Sequence, residues 1–118
     1  MSAEIPAKVR AQIQRLRQLQ DQLNAIILRK QQWHVRLSEI NNALEELSKL
    51  KDEEIVYRIV GQVMIPMKKV EVVEKLSEEK ELAEASMRTL DKQEKIVRKE
   101  IEELNNEIRR EMAAGSKA

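Results

Sequence analysis

The sequence has no cysteine and no phenylalanine, and its 118 residues include only one Trp, one Tyr, two Gly and two Pro. Without cysteine there is no disulfide framework, no thiol nucleophile and no thiolate metal site. With so little aromatic volume, an ordinary globular core is hard to fill. Charged residues instead make up 36% of the chain, a composition that favours long helices and coiled coil.

Residues that could carry catalysis or bind a cofactor are also scarce. His34 is the sole histidine, and one His without Cys cannot build a usual zinc site. Gly61 and Gly115 stand alone, so the sequence has no Gly-rich phosphate loop. The net charge of +1 creates no strong field towards nucleic acid or anionic lipid. We therefore expect no enzymatic activity, no cofactor, no metal site and no nucleic-acid partner.

No stretch of the sequence has the pattern of a signal peptide or a membrane span. Residues 1–17 contain basic side chains spread along them and no apolar core segment. The longest apolar run before residue 55 is Ala25-Ile26-Ile27-Leu28, far shorter than the ~20 residues that a membrane-spanning helix needs. We expect a cytoplasmic protein with no membrane partner.

A heptad of apolar residues predicts a first helix from about residue 6 to residue 50. No Gly or Pro interrupts it after Pro6, and a seam of this kind is typical of coiled coil. Its a and d positions are Ile5, Val9, Gln12, Leu16, Leu19, Leu23, Ile26, Lys30, Trp33, Leu37, Ile40, Leu44 and Leu47.

A second heptad predicts a helix at about 70–112, followed by a frayed tail at 113–118. The two seams fit each other as an antiparallel pair within one domain, 1–118, although pairing between chains is left open. The a and d positions of the second helix are Val73, Leu76, Lys80, Ala83, Met87, Leu90, Glu94, Val97, Ile101, Leu104, Ile108 and Glu111.

Between the helices, residues 55–67 predict a β-hairpin that is apolar on both faces. β-branched residues flank Gly61, which supplies the positive φ of a tight turn. With Gly61 and Gln62 as the loop, Val60 faces Val63. A lone hairpin of this kind would aggregate in water. Either it packs on its own helices, or other chains supply further strands; we favour the second, because two helices cannot easily cover both faces.

Apolar residues also accumulate where the two helices end. Flexible apolar surfaces that contain Met suit partners of many shapes. An ordinary coiled-coil terminus explains the same residues equally well. The residues concerned are Ile5, Val9, Ile13 and Leu16 on the first helix and Leu104, Ile108 and Met112 on the second.

A long helix, one strand–Gly–strand hairpin and a second long helix together resemble the beta-type subunit of prefoldin. The resemblance covers nearly the whole chain, and a single hairpin points to the beta-type because the alpha-type carries two. It implies a fold dominated by helices, an antiparallel coiled-coil hairpin with one β-hairpin insert. The segments that carry it are Val56-Tyr57-Arg58-Ile59-Val60-Gly61, Asp91-Lys92-Gln93-Glu94 and Ile5-Pro6.

This resemblance implies a chaperone hexamer of two alpha-type and four beta-type subunits. The hairpins form a β-barrel platform from which six coiled coils hang. Such proteins hold non-native polypeptides at the coiled-coil tips without ATP and pass them to a group II chaperonin. By this resemblance, oligomerisation falls on Tyr57, Ile59, Val60, Gly61, Val63 and Ile65. Client binding falls on Val9, Ile13, Leu104, Ile108 and Met112.

Two features depart from the family pattern. Pro66 and Met67 stand where strand residues are expected, so the second strand is predicted to end early. No Ser, Thr, Asp or Asn cap precedes the second helix near Val70. The alternative function is a structural coiled-coil spacer or tether without client binding, whose ends would tolerate polar substitution.

Overall fold

The fold consists of two long helices joined by one β-hairpin. A computed structural model describes residues 5–116, apart from the side chain of Ser116. In chain order the elements are helix α1 (Ala7–Leu47), strand β1 (Ile55–Val60), strand β2 (Val63–Lys68) and helix α2 (Lys69–Ser116). The two strands form one antiparallel sheet. This architecture confirms the predicted fold class, two long helices with a single hairpin insert.

Helix α1 ends at Leu47, a few residues earlier than the heptad suggests. The chain tightens after it: the N–H of Lys49 donates to the carbonyl of Glu46 (3.2 Å), and the N–H of Leu50 donates to the carbonyl of Leu47 (3.0 Å). Such i→i+3 bonds are common at helix ends, because the last carbonyls have no partner inside the helix. Residues 51–54 then lead into β1.

Helix α2 begins at Lys69, directly after β2, without a capping side chain before it. The N–H of Lys69 donates to the carbonyl of Glu54 (2.8 Å), and the N–H of Val70 donates to the carbonyl of Asp52 (3.3 Å). The ammonium of Lys69 also lies 3.1 Å from the Asp52 carboxylate. The loop before the strands therefore satisfies N–H groups that a Ser, Thr, Asp or Asn cap would otherwise bind.

Helix α2 continues to Ser116, beyond the end expected at residue 112. Ala113 and Ala114 are strong helix formers, and Gly115 weakens only the final turn. The segment predicted to fray is therefore helical as far as it is described. Residues 117 and 118 of that predicted tail lie outside the described part of the chain.

The hairpin has the register that the sequence predicts. Gly61 has a φ of 60° and begins the two-residue loop. A positive φ at the first loop residue, with none at Gln62, fits a type II′ turn, whose twist matches that of the strands. From the loop outwards the pairs are Val60–Val63, Ile59–Met64, Arg58–Ile65, Tyr57–Pro66, Val56–Met67 and Ile55–Lys68.

Pro66 lies inside β2, so the second strand does not end early. Hydrogen-bonded and non-hydrogen-bonded pairs alternate along an antiparallel ladder. The bond from the Lys69 N–H to the Glu54 carbonyl shows that Glu54 and Lys69 form a hydrogen-bonded pair. The Tyr57–Pro66 pair is the third pair after it in the ladder and is therefore non-hydrogen-bonded. The N–H that Pro66 lacks would have pointed away from β1, so no hydrogen bond between the two strands is lost.

The chain divides into two compact units, residues 30–88 (the hairpin unit) and residues 1–29 with 89–118 (the helix-end unit). Each unit has its own buried apolar residues, and all of them except Val72 lie at predicted a or d positions. In the hairpin unit they are Ile40, Leu47, Val72 and Ala83. In the described part of the helix-end unit they are Val9, Leu19, Ile26, Leu90 and Val97.

Val72 is the buried residue that the heptad misses. It is 7% exposed, whereas the predicted seam residue Val73 is half-buried. Val72 and Leu76 line a groove together with residues of β1, so this part of α2 packs against the hairpin as well as against α1. A heptad describes the contact with a second helix only, and therefore overlooks a residue that the strand covers.

In the helix-end unit, early residues of α1 pair with late residues of α2. The ammonium of Lys8 lies 2.8 Å from the Glu111 carboxylate, and Arg15 Nη2 lies 3.6 Å from Glu100 Oε2. Rising numbers on one helix meet falling numbers on the other, so the helices of this unit run antiparallel. Of the two pairings left open by the sequence, the structure has the one within a single chain.

Candidate functional site

The two faces of the hairpin are alike in composition but not in environment. Side chains alternate between the faces along each strand, and paired residues share a face. We call the face of Arg58 the inner face and the face of Tyr57 the outer face. The inner face carries Val56, Arg58, Val60, Val63, Ile65 and Met67. The outer face carries Ile55, Tyr57, Ile59, Met64, Pro66 and Lys68.

The inner face is tied to the helices of its own unit by a shared carboxylate. Arg58 Nη2 donates to Glu79 Oε1, and Arg36 Nη2 donates to Glu79 Oε2 at 2.6 Å. Burial alone would raise the pKa of Glu79, but the hydrogen bonds and charges of Arg58 and Arg36 outweigh it and hold the pKa below its ordinary value. Glu79 is therefore ionised at neutral pH and links β1 to both helices.

The outer face is not covered by any described part of the chain. Ile59 is 71% exposed, Tyr57 and Met64 are each 63% exposed, and Ile55 is 56% exposed. Single exposed apolar residues are ordinary, but here they are neighbours on one small sheet. Burying one such side chain completely contributes roughly 1.5–3 kcal/mol, so a partner that covers this face would gain considerably.

The residues predicted for oligomerisation are divided between the two faces. Tyr57 and Ile59 lie on the outer face, and Gly61 lies in the turn. Val60, Val63 and Ile65 lie on the inner face but remain 48%, 57% and 41% exposed near the loop. Sequence reasoning missed Ile55 and Met64, although the alternation of side chains along the strands would have placed both beside Tyr57 and Ile59.

The residues predicted for client binding lie in the helix-end unit and differ widely in exposure. Val9 is 1% exposed and packs in the seam, so it offers no surface in this conformation. Ile13, Leu104 and Ile108 are half-buried. Met112 is 48% exposed. The available apolar surface of this group therefore comes mainly from Met112, with smaller contributions from the half-buried residues.

A groove adds to this surface at the start of the first helix. Its volume is about 390 Å³. Ile5, which is 42% exposed, supplies an apolar wall, while arginine side chains supply positive charge. The sequence did not identify these arginines as site residues, because their spacing is that of charged residues on an ordinary solvent-exposed helix face. The lining residues are Ile5, Arg10, Ile13, Gln14 and Arg17.

Neither surface contains a metal-binding cluster, since the described residues bring no three His, Cys, Asp or Glu side chains together in such a group. None of the helices in the described chain combines the length and apolar character needed to cross a membrane. The described residues instead offer two groups of neighbouring apolar side chains, one on the outer face of the hairpin and one near the helix ends.

Comparison with known proteins agrees with this architecture. The model of the prefoldin subunit family matches residues 10–114. The prefoldin subunit beta of Caldivirga maquilingensis is 43% identical over 115 residues, covering 98% of this chain and 95% of that relative. The prefoldin subunit beta of Pyrobaculum neutrophilum is 38% identical over 110 residues, covering 93% and 87%.

A solved structure gives the same result for the fold. The crystal structure of the prefoldin beta subunit from Thermococcus strain KS-1 matches with a TM-score of 0.81 and 32% sequence identity, and the match covers 91% of this chain and 94% of that one. The chain therefore belongs to the prefoldin subunit family, whose members are non-enzymatic chaperone cofactors, and its relatives are the beta subunits of that family.

Proposed function

We propose that this chain is the beta-type subunit of an ATP-independent holdase that captures non-native polypeptides at the ends of its helices. The bare outer face of the hairpin is the observation that carries the proposal. It is a surface for assembly that a free coiled-coil spacer does not need. Family membership implies a hetero-oligomer with other prefoldin subunits. The finer assembly that we propose is two alpha-type and four beta-type subunits joined into a β-barrel platform.

Assembly uses the hairpin because the apolar side chains of its outer face are left uncovered by the described chain. Tyr57, Ile59 and Met64 lie side by side and are more than half exposed. Closing a sheet into a barrel removes exposed strand edges and encloses one face. In the proposed platform the outer face of each hairpin is covered by strands and side chains from neighbouring subunits.

Client binding uses the helix-end unit. Ile5 and Met112 are 42% and 48% exposed, and the groove beside Ile5 combines apolar and positively charged walls. Each contact of this kind is weak and non-specific in shape, as a holdase requires for clients of many sequences. Several subunits held on one platform convert weak contacts into tight binding through effective concentration.

Delivery of the client depends on the same weak contacts. Individual contacts that exchange rapidly allow a client to be transferred when a second chaperone offers more apolar surface. We propose a group II chaperonin as that recipient and the cytoplasm as the location. No nucleotide is consumed by the prefoldin subunit in this scheme, because capture and release are both equilibrium steps.

The client-binding proposal is tested by removing exposed apolar residues at the helix ends. The variant Ile5→Ser with Met112→Ser should suppress the aggregation of an unfolded test protein several-fold less well than the parent chain, in a complex reconstituted with an alpha-type partner. Its control is Leu82→Ser with Ile96→Ser, two helical residues that are 61% and 59% exposed. Full activity in the helix-end variant would contradict the proposal and favour the spacer function.

The assembly proposal is tested by charging the outer face. Ile59→Lys should prevent the chain from joining the complex, because a Lys at this position would have to be buried between subunits. Helical content should be unchanged, since Ile59 contributes nothing to the seam. Ile96→Lys, at an exposed position on α2, is the control. Sedimentation of the reconstituted mixture measures the result, and a normal complex with Ile59→Lys would contradict a role for the outer face.

A further inference from the structure

The two edges of the hairpin differ in their ability to accept another strand. Residues of the non-hydrogen-bonded pairs direct their N–H and C=O groups away from the partner strand. On β1 these residues are Ile55, Tyr57 and Ile59, and each has both a donor and an acceptor. On β2 the corresponding residues are Met64, Pro66 and Lys68. Pro66 has no N–H, so β2 presents an interrupted edge and β1 a complete one.

The edge of β2 is limited further by the helix that comes directly after it. Lys68 is the last residue of β2, and helix α2 begins at the next residue. An added strand could therefore pair with β2 only over a short stretch, with a missing donor in its middle. Natural sheets use proline at edges to discourage pairing. The asymmetry favours β1 as the edge at which a neighbouring strand is added.

The outer edge of β1 is complementary to a second copy of itself. In an antiparallel pair of β1 strands centred on Tyr57, the Tyr57 residues face each other and Ile55 faces Ile59 of the other copy. All six residues are outward-directed, so every N–H finds a C=O. Arg58 then faces Val56 rather than another Arg58, and the register brings no like charges together. A shift by one residue would oppose outward groups with inward ones and lose the ladder.

A groove lies along this same edge. Its volume is about 510 Å³, and its lining comes from β1 and the two helices of the hairpin unit. Arg58 Nη1 is buried there without a hydrogen-bond partner in the described chain. A strand added to β1 would place side chains of its own inner face in this groove. The residues of β1 that line it are Val56, Tyr57, Arg58 and Ile59.

We propose that two copies of this chain associate edge to edge through β1, antiparallel and centred on Tyr57. The inference rests on the proposed function only in taking the hairpin as the assembly element; it adds which edge is used and by which partner. The outer faces of the two hairpins become one continuous four-stranded apolar surface. A sheet of four strands meets the requirement for independent stability that a single hairpin does not.

The test compares two prolines at one cross-strand pair. Ile59 and Met64 face each other, and each directs its N–H outwards, Ile59 from β1 and Met64 from β2. Ile59→Pro therefore removes a donor from the proposed edge, whereas Met64→Pro removes one from the opposite edge, and neither breaks the internal ladder. Ile59→Ala and Met64→Ala control for loss of the side chain. The measurement is sedimentation equilibrium of the purified full-length chain over a range of concentrations.

We expect Ile59→Pro to raise the dimer dissociation constant by about 10- to 30-fold relative to Ile59→Ala, because each dimer loses two hydrogen bonds. Met64→Pro should stay within about threefold of Met64→Ala. Circular dichroism checks that both proline variants retain the helices. As a measurement that needs no variant, the amide hydrogens of Ile55, Tyr57 and Ile59 should exchange more slowly as the concentration of the parent chain rises.

Two results would overturn the inference. A parent chain that remains monomeric at every concentration, with amide exchange independent of concentration, excludes the paired β1 edges. A larger effect of Met64→Pro than of Ile59→Pro assigns association to the edge of β2. In either case a complex that still forms with an alpha-type partner, and that is still lost with Ile59→Lys, leaves the hairpin as the assembly element. The proposed function and the inference can thus fail separately.

Discussion

The seam residues of the helices and the outer face of the hairpin use the same types of side chain under opposite conditions. Ile40, a seam residue of the hairpin unit, is 1% exposed, while Ile59 in the same unit is 71% exposed. The seam finds its apolar partner within one chain because two complementary heptads are present. The hairpin has one partly covered face and one bare face because two strands are too few to enclose both. The contrast separates the contacts that fold the chain from those that we propose for its assembly.

Electrostatic contacts show a similar contrast between the hairpin unit and the helix-end unit. Glu79, which is half-buried, binds two arginines and holds the hairpin to both helices. Lys8 and Glu111 form an ion pair in which the Lys8 side chain is 68% exposed. Water and salt weaken the second pair much more than the first. We therefore expect that removing the charge of Glu79 destabilises the fold, and that removing the charge of Lys8 does not.

The largest expected effect comes from truncating the two isoleucines that define the contrast. Ile40→Ala should lower the free energy of unfolding by about 2–4 kcal/mol, because it leaves a cavity in the seam. Ile59→Ala should change it by less than about 0.5 kcal/mol and weaken only association. Urea unfolding monitored by circular dichroism at low protein concentration measures both. Equal losses would mean that the hairpin stabilises the isolated chain as strongly as the seam does.

A smaller effect is expected from the Glu79 carboxylate. Glu79→Gln should lower the free energy of unfolding by roughly 1–2 kcal/mol at neutral pH, because Arg58 and Arg36 lose their charged acceptor. The folded-state pKa of Glu79 lies below its ordinary value, so this stabilisation is present above the ordinary value and is lost as the pH falls through the lowered one. The difference between parent and variant should therefore shrink from about pH 5 downwards.

The control for this variant is Glu78→Gln, which removes the same charge from an exposed position on the same helix. Thermal unfolding across a pH series compares the three proteins. A Glu78→Gln variant that matches Glu79→Gln at neutral pH would show that net charge, rather than the contacts with Arg58 and Arg36, causes the loss.

The turn of the hairpin is expected to be sensitive to a single methyl group. Gly61→Ala should lower the free energy of unfolding by about 1 kcal/mol, since a φ of 60° is unfavourable for residues with a Cβ. Gly115→Ala, in the last turn of α2, should be neutral or slightly stabilising because alanine favours the helix. Chemical denaturation of the two variants gives the comparison. A harmless Gly61→Ala would show that the turn can adopt a second conformation at little cost.

The smallest effect is expected at the exposed pair of the helix-end unit. The hydrogen bond to Glu111 and its charge raise the pKa of Lys8. Any stabilisation from this pair is therefore present below the ordinary pKa of Lys8 and is lost as the pH rises through the raised value. Lys8→Gln should leave the unfolding temperature unchanged within error at moderate salt. A clear loss that persists in high salt would place this pair among the contacts that hold the helix ends together.

Local patterns in the sequence were sufficient for much of the fold. The two heptads identified all the buried residues of the described chain except Val72. The Gly61-Gln62 loop fixed the register of the strands, because a two-residue turn and the alternation of side chains leave no other pairing. Both kinds of signal depend on residues that lie within a few positions of one another.

Tertiary structure decided which apolar surfaces are covered. Glu79 lies 21 residues from Arg58 and 43 residues from Arg36 along the chain, so no local pattern connects them. Their meeting determines that the inner face of the hairpin is held against the helices and the outer face is left bare. The carbonyls of Asp52 and Glu54, which bond the first N–H groups of α2, are likewise close to it only after the strands have paired. Helical periodicity and turn type depend on residues that are close together in this sequence, whereas the burial of a surface depends on distant segments packing together. For this reason the sequence predicted an apolar hairpin but not which of its two faces would remain exposed.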